Sequence, residues 1–445
     1  MMELTLSAHD AARVAQEVLG HGTERCVVLL ASRAIRSDGF TRLLVRQIDV
    51  PAAESYAELT PISAELNPAY VARVGKLAAR SGYSLVFVHS HAGEACPDFS
   101  STDDRGEKHL ATFLAARTPG IPHAALVMSA SGWRARRLGS SEPIRVVTLG
   151  AHRRVLFEPA GALASSLDVF DRQVRAFGAA GQHLIGSLTV CLVGLGGTGS
   201  IAAQQLAYLG VRHFILVDPD RIEATNLNRV VGATPPDIGL AKVAVAARMV
   251  GQIAPDAAVR QIVGDVTRTP VAQELKDADF IFSCTDSHGS RAVIQQVAYQ
   301  YLIPAIDIGS IITAGDGRTT GIHGRVQALG PGLPCLTCTG LIDSEQVRRD
   351  LMSEEERRLD PYIQGAHEPA PAVISINGTV TSLAVSMFMG VVVGLDTQGR
   401  HLLYNAHGPS LRSVAGNQVP TCYICSHDGV LARGDSQLLF TRDVA

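Results

Sequence analysis

Apolar positions recur along this chain with two different spacings, and the change between them divides it. In the first part, residues 7–19 carry apolar positions at helical spacing and predict a helix. Short apolar runs predict strands at 26–31, 43–50, 85–89, 124–128 and 144–149, with a further helix over 68–81. These elements read as an α+β unit. Residues 160–166 are small and polar-flanked, as a linker would be.

The second part alternates strongly. Apolar runs predict strands at 189–193, 213–217, 259–262, 279–283 and 303–308. Helical stretches at 200–209, 241–253 and 290–301 separate them. Such alternation builds a parallel sheet covered by helices. Residues 343–370 are charged, contain proline and show no strand pattern, so a loop is expected there. Residues 379–395 are almost wholly apolar. They are slightly short for a membrane span and lack a basic flank, and a buried core helix is expected.

Glycines follow the first strand of the second part. Gly194, Gly196, Gly197 and Gly199 permit a tight turn and close backbone approach to phosphate at a helix start. Asp218 ends the next strand, where a carboxylate can hold ribose hydroxyls. Alone, these features suggest a dehydrogenase. The residues that follow argue otherwise: Asp220, Asn226, Arg229, Lys242 and Asp286 surround the same strand ends. A nicotinamide slot is apolar, whereas Arg229 and Lys242 suit a triphosphate and Asp286 suits a Mg²⁺ ligand.

Two cysteine pairs, Cys335/Cys338 and Cys422/Cys425, have the C-x-x-C spacing that supplies two thiolates on a tight turn. Together they predict one structural zinc with four thiolates and no open position. Earlier in the chain, His89 and His91 end an apolar strand and project to one side. With a carboxylate from Asp103 or Asp104 they predict a three-ligand zinc whose fourth position stays open to water.

Charge changes the picture little. A formal net charge of -3 gives no reason to expect nucleic acid or an anionic membrane as partner. The first thirty residues or so show no signal-peptide pattern. A reducing, cytoplasmic compartment is expected, in which cysteines serve metal or catalysis.

Residues 168–428 resemble the ubiquitin-activating-enzyme-like (ThiF/MoeB/HesA) adenylyltransferases, including the entry segment Phe170-Asp171-Arg172-Gln173. The resemblance implies ATP and Mg²⁺ as cofactors. It places Gly194 to Gly199 on the nucleotide, Asp218 on the ribose, Asn226, Arg229 and Lys242 on phosphates, and Asp286 on Mg²⁺. Arg172 resembles the arginine finger that reaches into a partner subunit, which implies a homodimer. The reaction implied is attack of a C-terminal carboxylate on the α-phosphate. Many relatives carry a nucleophilic cysteine after the first C-x-x-C, but no cysteine lies between Thr339 and Thr421 here. A thioester on this chain is therefore not expected.

The string His89-Ser90-His91 with Ser100-Ser101-Thr102-Asp103 resembles the JAMM (MPN-type) metalloproteases. That resemblance implies zinc on His89, His91 and Asp103, oxyanion stabilisation by Ser100 and a general base at Glu24. The interval from His91 to Ser100 is one residue longer than the common pattern, which keeps Asp104 as an alternative ligand.

The expected whole is an α/β protein. A JAMM-type α+β domain at 1–158 precedes a Rossmann-like, doubly wound adenylation domain at 166–445 with a four-cysteine zinc site. Its expected substrate is a ubiquitin-like or sulfur-carrier protein ending in glycine, with a sulfur donor or conjugating enzyme downstream. The alternatives are a peptide-modifying adenylyltransferase of natural-product biosynthesis and a non-catalytic scaffold that holds a carrier.

Overall fold

The computed structural model describes residues 2–91, 96–159, 168–315, 318–352, 356, 371–395 and 399–442. The linker expected at 160–166 lies outside them. Two compact units form: Met1–Ala162 with Gln300–Leu302 and Val430–Leu438, and Leu163–Tyr299 with Ile303–Gly429 and Leu439–Ala445. Within the first unit, the segment from Val430 is tied down by hydrogen bonds between side chains and backbone. Ser32 Oγ donates to the Ala432 carbonyl at 2.6 Å, and the Asp435 carboxylate accepts the Ile35 N–H at 2.8 Å.

The first unit is an eight-stranded mixed sheet. Its spatial order is Arg153–Phe157, Arg145–Leu149, Met2–Ser7, Thr41–Asp49, Cys26–Ile35, Ser84–Ser90, Ala124–Ser129 and Gly132–Arg137. The expected helix at 7–19 is Ala8–Val18, and a buried strand, Met2–Ser7, precedes it. Ser7 ends that strand and caps the helix, accepting the Asp10 N–H at 2.9 Å. The helix Pro68–Ser81 starts on an Asn67 cap with proline in its first turn and stops at the left-handed Gly82. An unpredicted helix, Ser101–Arg117, follows the histidines.

His123 is a buried histidine of this unit whose hydrogen bonds fix its charge state. Nδ1 accepts the Leu85 backbone N–H at 2.9 Å. Nε2 therefore holds the ring proton and meets the Thr118 hydroxyl at 2.8 Å, which donates onward to the Leu114 carbonyl at 2.7 Å. Burial, with Arg33 nearby, pulls the imidazole down to about 4. The unfolded chain binds a proton near pH 6.5, so the folded state is favoured fully above that value. Its advantage is lost as pH falls from about 6.5 to about 4, by roughly 3 kcal/mol. Urea unfolding of the full chain will show this slope, and His123→Gln will flatten it by about one proton. An unchanged slope in the variant would contradict the assignment.

The second unit carries the doubly wound sheet. Its order is Ala258–Ile262, His213–Val217, Thr189–Val193, Phe280–Ser283, Ala305–Gly315, Arg318–Leu329, His401–Asn405 and Ser410–Ser413. The first five strands are parallel and the last three are antiparallel additions. The central strands read TVCLV, HFILV and FIFS, nearly continuous apolar runs, because helices cover both faces. The order in which strands are added reverses beside Thr189–Val193. Its neighbours are the next strand in sequence on one side and Phe280–Ser283 on the other, which opens a crevice at the carboxyl ends.

The apolar stretch forms the helix Ile374–Val392, which is long and apolar enough to cross a membrane. It packs instead on the helix Gly197–Leu209 and the sheet, with Val380, Ala384, Phe388 and Val391 in the core. The charged segment expected to be a loop contains a helix, Ser344–Leu351. Asp343 caps it by accepting the Glu345 and Gln346 N–H groups, and Glu345 pairs with Arg348 and Arg349. These local charge pairs, rather than an apolar face, make the helix, so hydrophobic spacing did not reveal it. Residues 353–355 and 357–370 lie outside the described residues.

Candidate functional sites

The glycine loop lies in the crevice of the second unit. Gly194 has φ +89°, and a Cβ there would sit 2.7 Å from the Cys284 carbonyl oxygen. A Cβ on Gly199 would collide with the Gly194 carbonyl. Both positions therefore demand glycine. Gly196 caps the helix Gly197–Leu209, so its first N–H groups point into the crevice.

Asp218 is buried and accepts the N–H groups of Leu195 at 2.6 Å and Asp220 at 2.8 Å. Burial pushes its carboxyl above the usual range, while Lys242 and these donors oppose that. Lys242 starts the helix Lys242–Ile253 and is held by Asp220 at 2.8 Å. Asn226 is buried and accepts the Glu223 N–H at 3.1 Å. Arg229 is braced by the Thr225 carbonyl at 2.5 Å and by Asn228 at 3.3 Å. Asp286 is exposed just past the carboxyl end of Phe280–Ser283. Arg172 is exposed on the helix Asp171–Ser187.

The four C-x-x-C cysteines converge, with every pair of sulfurs within 4.8 Å. Cys335 and Cys422 are 3.6 Å apart, and Cys338 and Cys425 are 3.5 Å apart. Tetrahedral zinc with Zn–S bonds of about 2.3 Å needs sulfurs about 3.8 Å apart, so the set fits. The Val419 N–H donates to Cys338 Sγ at 3.3 Å and the Ile424 N–H to Cys422 Sγ at 3.4 Å. Such donors favour thiolates. A hydrogen bond with Cys425 draws the Cys335 thiol below its usual range, and the same bond holds Cys425 above it, so the pair shares one proton.

The first unit brings together the residues that sequence separated. His89 Nε2 and His91 Nε2 are 3.1 Å apart. Asp103 places Oδ1 3.3 Å from His89 Nε2 and Oδ2 3.5 Å from His91 Nε2. Glu24 Oε1 lies 3.7 Å from His91 Nε2. Zinc bonds of about 2.0–2.1 Å put neighbouring ligands about 3.3 Å apart, so His89, His91 and Asp103 also fit.

Asp103 is aimed by its position in the helix Ser101–Arg117. Ser100 caps that helix, accepting the Asp103 N–H at 3.2 Å, while Asp103 Oδ2 accepts the Ser100 N–H at 2.6 Å. Asp104, one residue on, turns to Arg136 at 2.8 Å. Burial opposes ionisation of Asp103, yet hydrogen bonds from His89 and His91 hold it far below the usual range. Burial raises Glu24, which is 9% exposed. A cleft of about 1170 Å³ opens over the group. It is walled by the hairpin Tyr56–Thr60/Ser63–Leu66 and by Arg105, His109 and Phe113 of the helix. Sequence reading missed this hairpin, whose short strands are half exposed.

The ThiF family matches residues 170–423, more than half of the chain. The chain is similar to the SAMP-activating enzyme E1 of Haloferax volcanii, 26% identical over 271 residues, covering 60% of this chain and 92% of that one. It is similar to the molybdopterin-synthase adenylyltransferase of Escherichia coli, 25% identical over 259 residues, covering 58% and 95%. A crystal structure of E. coli MccB with AMPCPP and MccA superposes with a TM-score of 0.47 at 17% identity, covering 58% and 74%. The chain belongs to the ThiF family. It is an ATP-dependent adenylyltransferase.

Proposed function

We propose that this chain adenylates the C-terminal carboxylate of a ubiquitin-like or sulfur-carrier protein ending in glycine, and that its first unit trims or releases such a tail. The adenylation half is supported by family membership and by Arg229 and Lys242 at the mouth of the glycine loop. The loop's N–H groups bind phosphate, and Asp218 takes the ribose. Lys242 and Arg229 neutralise charge as pyrophosphate leaves. Asp286 would hold Mg²⁺, which organises the phosphates. Arg172 would complete the site of a second copy, making a homodimer. Work in a reducing cytoplasm suits the free thiols.

The hydrolytic half rests on one observation: His89, His91, Asp103 and Glu24 meet at the edge of a large cleft. Zinc held there would lower the pKa of a bound water. Glu24 stands beside the ligand set to take that water's proton and return it to the leaving amine. The Ser100 hydroxyl stands at the helix start, where a developing oxyanion needs a donor. The cleft accepts an extended tail between hairpin and helix.

The adenylate passes to an external sulfur or amine. Burial pushes Cys284 up to about 12, and it raises Cys26 and Cys191 further. None is poised as a thiolate. Cys284→Ser will keep pyrophosphate exchange within about twofold, and denaturing gels will show no reducible carrier adduct on the wild-type chain. A Cys284-dependent adduct would overturn direct transfer. The general test is ATP–pyrophosphate exchange with small carriers ending in glycine. Exchange with a short peptide instead would favour the peptide-modifying reading, and no exchange with any carboxylate would favour a scaffold.

A further inference from the structure

The second unit buries an excess of positive charge beside the glycine loop. Asp307, on the strand Ala305–Gly315, is fully buried. Two guanidiniums converge on it. Arg325, on the antiparallel neighbour Arg318–Leu329, donates from Nη2 to Oδ2 in a short contact. Arg291, on the helix His288–Gln300, places Nε 3.4 Å from Oδ1. Ser283 adds a neutral donor to Oδ1 at 2.7 Å. The side chains of Arg325 and Arg291 are only 13% and 15% exposed.

Among the described residues, one carboxylate thus faces two cations. A covered, uncompensated charge is costly unless another anion joins it. The hydrogen bonds point the same way. Arg325 Nη1 and Thr285 Oγ1 are buried without a hydrogen-bond partner among the described residues. Buried donors left unpaired mark a place where a partner is missing.

The location indicates which anion. Arg291 Nη1 reaches the Asp286 carbonyl at 3.4 Å, and Gly194 packs on Cys284 and Thr285. On the other side, a Cβ on Gly309 would meet Arg325 Nη2 at 3.2 Å and Arg291 Nη2 at 3.6 Å. Ser310 donates to Asn377 Oδ1 at 3.1 Å, and the Asn377 amide lies against Gly197. Near contacts therefore run from the glycine loop to the arginine pair along both routes.

We propose that Arg325 and Arg291 form the subsite for the substrate carboxylate that is adenylated, an inference that rests on the adenylation reading above. The planar guanidiniums match one carboxylate oxygen by charge-assisted hydrogen bonds. The other oxygen attacks the α-phosphorus of ATP. A carboxyl O–P bond forms, the bond from the α-phosphorus to the bridging oxygen breaks, and pyrophosphate leaves with the electron pair. No proton is consumed. Arg229 and Lys242 remain with the phosphates, and Asp307 fixes the fork that the substrate meets.

The test uses N-acetylglycylglycine and its C-terminal amide as probes of the full chain saturated with a non-hydrolysable ATP analogue. The acid binds, and the amide binds at least about tenfold more weakly. Arg325→Gln lowers affinity for the acid at least about tenfold and leaves affinity for the analogue within about twofold. Arg325→Lys, which keeps the cation, recovers part of the loss. If Arg325→Gln does not fold, Arg291→Gln must show the same pattern. Equal binding of acid and amide, no binding of the acid, or unchanged affinity in the glutamine variants overturns the subsite. A parallel loss of analogue affinity assigns the pair to the phosphates and also overturns it. Pyrophosphate exchange by the wild-type chain separates the two readings. Exchange with a negative subsite result leaves adenylation standing, whereas no exchange with any carboxylate removes the adenylation reading.

Discussion

Lys242→Ala will lower ATP–pyrophosphate exchange by about 10²- to 10³-fold, the usual cost of removing one donor aimed at developing charge. Lys242 is only 12% exposed and 2.8 Å from Asp220. Its ammonium is thus held in place before nucleotide arrives, so little reorganisation is needed when pyrophosphate departs. Arg229 is braced in the same way by the Thr225 carbonyl. Arg229→Ala should therefore cost a similar factor, and the double variant less than the product of the two if both cations serve one phosphate group. Exchange rates at saturating ATP measure this. A Lys242→Ala chain that exchanges at the wild-type rate would contradict the site.

His89→Ala will remove one of two bound zinc ions and abolish cleavage of a carrier tail, while exchange stays within about twofold. The physical ground is the difference between the two centres. Four cysteine sulfurs within 4.8 Å of one another, three of them on buried cysteines, would close one ion off from solvent. The histidine–aspartate group faces an open cleft instead. Mild chelation should therefore empty the first unit before the second. Glu24→Gln gives the finer check. It keeps both zinc ions and lowers cleavage by about 10²- to 10⁴-fold, the range for losing a general base. Metal analysis together with a peptidase assay reads both outcomes. One zinc per wild-type chain, or cleavage surviving His89→Ala, would contradict this half of the account.

Much of the second unit was legible because a parallel sheet writes itself as apolar runs. The strands Thr189–Val193 and His213–Val217 fall where the runs lie. The strand Arg318–Leu329 was missed because it begins RTTGIHGR, with exposed polar residues and glycines on a partly covered antiparallel strand. The helix Ser101–Arg117 was missed for a related reason: STDDRGEKH has no apolar stripe, and only Glu107 and Leu114 are buried. Its cap was in view all the same, because Ser100 and Asp103 hold the spacing of a capping box. The choice between Asp103 and Asp104 could be made only from the helix, which turns one toward the histidines and the other toward Arg136.

Candidate site residues on short motifs were readable, since a local turn brings them together. The two cysteine pairs are of this kind. The Arg291, Asp307 and Arg325 cluster was not, because it joins a helix and two strands whose pairing no local pattern specifies. Glu24 shows the intermediate case. A glutamate before a strand is ordinary in sequence, and only the pairing of Cys26 with His89 across two strands sets it beside the two histidines.

The most direct test offers the full chain a small carrier protein that bears a short extension beyond its terminal glycine, with ATP and Mg²⁺, and follows the carrier by mass spectrometry. The extension should be lost first, and one AMP should then be gained on the shortened carrier, with release of pyrophosphate only after trimming. The His89→Ala chain should leave the extended carrier intact and unadenylated, yet adenylate a carrier supplied without the extension. Adenylation of the extended carrier, or failure to adenylate the pre-trimmed one, would contradict this order of steps.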